Sequence, residues 1–191
     1  MMVKSAFSIL AVAAAAGLAL VPGVASAATA RPAIAYSSSP GAGDPPTTVT
    51  FTVTVGTLLL TAPASVNLGG ALPGATVSGT LGNISLTDNR ALLSASWTVT
   101  AASTAFTTGT GTSAETIPVG DATYDPGTVT STGTITTSEA PVTLSTAGQT
   151  VVSGTAGVGN NSASWSPTEA IAIPASAVGG LYTSTLTESA A

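Results

Sequence analysis

From Thr47 the chain alternates strictly: Val49, Phe51, Val53 and Val55 take one parity of "TTVTFTVTV", and Thr48, Thr50, Thr52 and Thr54 take the other. A period of two sends successive side chains to opposite faces of an extended backbone, so this stretch predicts a strand with one apolar and one hydroxylated face. Shorter segments of the same character follow at residues 58–61, 65–68, 76–81, 84–87, 95–103, 128–136, 142–145, 150–153, 170–173 and 181–187. Turn formers separate them, among them Pro63, Gly69-Gly70, Pro73-Gly74, Asp88-Asn89, Asp125-Pro126-Gly127 and Gly179-Gly180. No charged amphipathic helix interrupts the series. The expected fold is all-β, an antiparallel β-sandwich or barrel-like Greek-key domain spanning residues 47–191.

Ahead of that domain the pattern changes twice. Residues 1–27 are organised as a signal peptide: Lys4, an apolar run from Ala6 to Val21, a Pro22-Gly23 break, then the small-x-small site Ala25-Ser26-Ala27. The run is shorter than the roughly 20 residues a spanning helix needs, so cleavage after Ala27 and a secreted product without a membrane anchor are expected. Residues 28–46, "ATARPAIAYSSSPGAGDPP", are aperiodic and rich in Pro, Gly and Ser, which predicts a flexible arm.

Composition then removes whole classes of function. Beyond the leader the only cations are Arg31 and Arg90, set against eight acidic residues, so neither nucleic-acid phosphates nor anionic lipids would be neutralised. The same region has no His, Cys or Lys, which excludes a Ser-His-Asp triad, a Ser-Lys dyad, thiol chemistry and most metal ligands. No cofactor, no metal and no enzymatic activity are expected. A carboxylate-only glycosidase remains chemically conceivable, with Asp88, Glu115, Asp121, Asp125, Glu139, Glu169 and Glu188 as its candidates. Most of these adjoin turn residues and read as solvated carboxylates. Asp121 and Asp125 offer oxygens to a calcium ion as a further alternative, and Asp88 with Arg90 in "TDNRA" reads as an ion pair fixing a turn.

The tetrapeptide "SASW" occurs twice and contains both tryptophans. Trp97 shares a strand face with Ala95, Val99 and Ala101, which reads as a core face, with ligand stacking as the alternative. Trp165 is followed by Pro167, which cannot donate to a ladder, so its segment reads as an edge or strand entrance with the ring partly exposed. Trp165 or Tyr124 would then be the ring available to stack on a sugar.

The order "SVNLGGALPGATVSGTLGNISLTDNRALLSASWTVTA", "ETIPVGDATYDPG" and "IPASAVGGLYTSTLTESA" resembles the WxL family of Gram-positive surface proteins. Trp97-Thr98-Val99 stands at the first Trp-x-Leu motif with Val for Leu, and Tyr182 to Thr187 stands at the closing strand, with Leu186 within it. Glu188-Ser189-Ala190 stands where the second Trp-x-Leu motif would be. The resemblance implies a non-catalytic, secreted, cell-wall-associated protein that attaches non-covalently to peptidoglycan or another wall polymer and works beside companion WxL-interacting surface proteins. The alternative is a structural or adhesive surface protein acting through protein–protein assembly along exposed strand edges.

Overall fold

The structure is a computed structural model and describes residues 47–191; the expected leader and arm, residues 1–46, lie outside the described residues. Residues 50–191 form a compact unit of their own. Its strands are β1 Leu58–Thr61, β2 Thr76–Thr80, β3 Ile84–Ser103, β4 Phe106–Thr107, β5 Thr116–Ile117, β6 Ala122–Asp125, β7 Thr130–Thr132, β8 Thr136–Glu139, β9 Val142–Thr143, β10 Gln149–Trp165, β11 Thr168–Ala172 and β12 Leu186–Ala190. All pairings between them are antiparallel, and the all-β expectation holds.

Two strands are far longer than the alternation suggested. β3 runs through what reads as separate segments at 84–87 and 95–103, and pairs with β10 from Trp165↔Ile84 to Gln149↔Ala101. A straight ladder of that length would separate Ile84 from Ala101 by roughly 56 Å at about 3.3 Å per residue. The ribbon is instead bent. β1 pairs with β3 at residues 85–88 and β12 at residues 99–103, yet β1 and β12 touch each other. Register shifts accumulate in the middle, between Gly154 and Gly157, Gly157 and Gly159, and Gly159 and Asn161, where extra residues increase local twist and turn the strands.

Side chains hold that corner. Ala91 adopts a left-handed φ of 53°, and the fully buried Asp88 accepts hydrogen bonds from the Arg90 backbone N–H at 3.1 Å, from Nε at 2.8 Å and from Nη2 at 2.8 Å. Arg90 Nη2 also donates to the Ser96 carbonyl at 2.7 Å, spanning the bulge. The Asp88–Arg90 pair therefore fixes a bend inside a strand rather than a free turn. Across the ribbon, buried Asn161 accepts from the backbone N–H groups of Thr134 and Ile135 through Oδ1 and donates to the Gly159 carbonyl through Nδ2.

A second sheet, in the order β2-β11-β6-β9, contributes Val77, Ile171, Ala122 and Tyr124 to a core shared with the ribbon's Ile84, Leu86, Trp97, Val99, Val152 and Trp165. Trp97 lies directly against its cross-strand partner Gly154, whose missing side chain leaves the place the ring occupies.

The most regular alternation in the sequence is not a strand here. Residues 47–55 pair with no strand among the described residues, and Val49, Phe51, Val53 and Val55 are between 71 % and 87 % exposed. β1 turns its even positions, Leu58 and Leu60, toward the core and leaves Leu59 and Thr61 outside, whereas the apolar positions of residues 49–55 are odd. Between the two, Gly56 and Thr57 both bond to Asn89, a two-against-one bulge at which the regular ladder stops.

Gly154→Ala forces a methyl group into the Trp97 ring and is expected to cost about 1–3 kcal/mol in urea unfolding. Combining it with Trp97→Leu should cost less than the two single changes together, because the clash disappears with the ring.

Candidate functional site

The two sheets do not close over one another everywhere. Between the 62–73 loop and residues 178–186 the core opens into a cleft of about 830 Å³ whose walls include Leu81, Ile84, Phe106, Ile117 and Ile171. These five buried core residues lie beneath the floor of the cleft. The cleft also takes in Tyr182 and Leu186, the closing-segment residues singled out from sequence. The Tyr182 hydroxyl lies 2.9 Å from the Val178 carbonyl and 3.1 Å from that of Ala114, which pins the 178–182 loop to the short turn at Ser113–Glu115.

Two carboxyl groups line the apolar walls. Glu169, on β11, is 5 % exposed, and its Oε1 has no hydrogen-bond partner. Loss of hydration raises its pKa to about 6. Glu188, on β12, is also held above the usual carboxylate range by burial, an effect partly offset by the hydrogen bond it accepts from the Tyr124 hydroxyl at 2.6 Å. Tyr124 is fully buried and accepts in turn from Trp165 Nε1 at 3.1 Å. Burial, then the neighbouring Glu188, push the phenol pKa far upward, so the phenol stays protonated as a donor. The chain from Trp165 to Tyr124 to Glu188 satisfies every buried polar atom it contains except one lone pair or more on the carboxyl.

These positions revise several expectations. Trp165 is not a partly exposed edge residue: it ends the central strand β10 at 2 % exposure, and Pro167 falls beyond the ladder, in the link to β11. Tyr124 offers no exposed ring face either. Trp97 and Val99 are buried on the ribbon and do not line the cleft. Glu169 and Glu188 are not solvated turn carboxylates but strand residues facing the interior. The pattern did contain the signal, since Glu169 shares the parity of Ile171 on β11 and Glu188 that of Leu186 on β12.

The remaining carboxylates have local duties. Glu115 accepts from the Thr112 backbone and hydroxyl and from the Thr110 hydroxyl, which lowers its pKa and closes the 110–115 loop. Asp125 accepts from the Gly127 N–H at 2.9 Å, an Asx-type turn. Among the described residues no three His, Cys, Asp or Glu side chains gather where a metal would sit, so Asp121 and Asp125 have no third acidic ligand beside them.

Comparison with family models, with curated proteins and with solved structures returned no match.

Because the folded state holds the Glu169 proton more tightly than an ordinary carboxyl near 4.5, stability falls as pH rises from about 4.5 and the penalty is complete above about 6. Glu169→Gln mimics the protonated form. It is expected to raise unfolding stability at pH 7.5 by about 2 kcal/mol and to change little at pH 4, as read from urea unfolding at both values.

Proposed function

We propose that this chain is a secreted, non-catalytic surface protein, a divergent relative of the WxL family, retained at a Gram-positive cell wall through non-covalent assembly with protein. The folded ribbon and the β2-β11-β6-β9 sheet are read as the two layers of an antiparallel sandwich. The observation that carries the functional reading is the cleft opening into the core, with Leu, Ile and Phe on its floor and Ser, Asn, Thr and two carboxyl groups among its lining. An opening walled by Leu, Ile and Phe suits apolar side chains of a partner, as strand addition and groove docking require. Stacking on a glycan needs an exposed ring face; Trp97, Trp165 and Tyr124 are enclosed, which leaves that role to the exposed Phe51 and the half-buried Tyr182.

A glycosidase would need one carboxyl held protonated and its partner held ionised. Burial moves both Glu169 and Glu188 away from the ionised form that one of them would need. That supports a binding role for the cleft. Direct attachment to peptidoglycan is the second reading, favoured by the position of Tyr182 and Leu186, the residues of the closing segment, on the cleft wall.

Co-sedimentation separates the two readings. The chain is expected to pellet with walls that retain their surface proteins and to stay in solution with protein-stripped peptidoglycan, and high salt should release little of it because so few charges are involved. Equal binding to stripped peptidoglycan would replace assembly with polymer recognition.

A further inference from the structure

The cleft and the unpaired alternating segment have complementary chemistry. Residues 49–55 carry Val49, Phe51, Val53 and Val55 on one parity, all exposed, and threonine between them. The cleft is a break in the core with Ile84, Phe106, Ile117, Ile171 and Ile173 on its walls and a carboxyl oxygen, Glu169 Oε1, that lacks a partner. An extended segment laid there would bury alternate apolar side chains over the core residues that form the floor of the cleft.

The segment of the same chain is badly placed to do this. Gly56 is tied to Asn89, its N–H donating to the Asn89 carbonyl at 2.7 Å, while the Asn89 N–H donates to the Thr57 carbonyl at 3.0 Å. That fixes the exit at the end of β1 where Leu58 pairs with Asp88. The cleft begins at the other end, where Thr61 pairs with Ser85 and Ala62, Pro63 and Ile84 line the opening. Residues 49–55 therefore leave β1 at the end away from the cleft.

We infer that residues 49–55 of one copy insert into the cleft of a second copy, so that the chain assembles head to tail by donation of a strand. This rests on the assembly reading of the cleft and names its partner. Donor and acceptor are different surfaces, so the contact is heterologous and each added copy presents a new cleft and a new strand. The donor segment carries no charged residue to oppose the contact electrostatically.

The test uses two variants of the full secreted chain. Phe51→Asp with Val53→Asp alters only exposed positions and leaves the cleft intact, and Ile173→Arg places a charge on the half-buried cleft wall and leaves the strand intact. Light scattering is expected to show concentration-dependent oligomers for the unaltered chain, single chains for each variant alone, and a one-to-one dimer when the two variants are mixed. Should Ile173→Arg fail to fold by circular dichroism, Val53→Cys mixed with Thr183→Cys serves instead, since the chain has no cysteine of its own, and a disulfide between copies is expected. An unaltered chain that stays single at all concentrations, oligomers that survive the Phe51 and Val53 changes, or variants that neither dimerise nor cross-link would each overturn strand donation between copies. Single chains that still pellet with protein-bearing walls would overturn it while leaving assembly with a different protein standing, whereas loss of that pelleting too would remove both.

Discussion

One phenol oxygen holds the two ends of the longest ladder together. Tyr124 Oη accepts from Trp165, which pairs with Ile84 at the start of β3, and donates to Glu188, which pairs with Ala101 near its end. A side chain from β6 can touch both only if the β3–β10 ribbon is folded back on itself. The bend at Ala91, the Asp88–Arg90 clasp and the staggered glycines of β10 are then needed to make the corner, and Trp97 against Gly154 fills the space inside it. The buried bridge contributes through what its loss would leave: an unpaired indole N–H and a carboxyl in a dry site.

The core is open on one side of this arrangement. β12 is held to the ribbon by Glu188 and by its pairing with β3, and residues 183–185 before it are held by the bridge Thr183↔Thr107, by Ser184 against Ser103 and the Thr104 carbonyl, and by the bonds between Thr185 and Thr104. Residues 178–185 line the cleft from that side. Glu169 sits on that cleft with an unsatisfied oxygen at a cost to stability, which is the kind of local inconsistency that folds retain where something binds.

Much of this was legible in the alternation. Threonine-flanked apolar positions and frequent turn residues announced an antiparallel all-β chain, and the small residues around Trp97 announced a core face. Three things were hidden for physical reasons. The 150–153 segment reads as ending before Gly154, because what makes Gly154 and Gly157 acceptable within a strand is largely a neighbour far along the chain, Trp97 in the first case and Ile135 and Ala95 in the second. Trp165 read as an edge because Pro167 excludes a ladder only for its own position, and the strand had already ended. Residues 49–55 read as the firmest strand of all, but periodicity specifies a strand and not its partner, and among the described residues the ladder stops at the Gly56–Asn89 bulge. The carboxyls of Glu169 and Glu188 share parity with isoleucine and leucine, yet acidic residues near turns look solvated until the opposite sheet is in place.

The claim that the folded ribbon depends on its bridge is open to a direct check by amide hydrogen exchange and urea unfolding of Tyr124→Phe, which removes only the shared oxygen. The account predicts a loss of about 1–3 kcal/mol, with protection falling first along β12 and at residues 162–165. Unchanged stability together with full protection of β12 would contradict it.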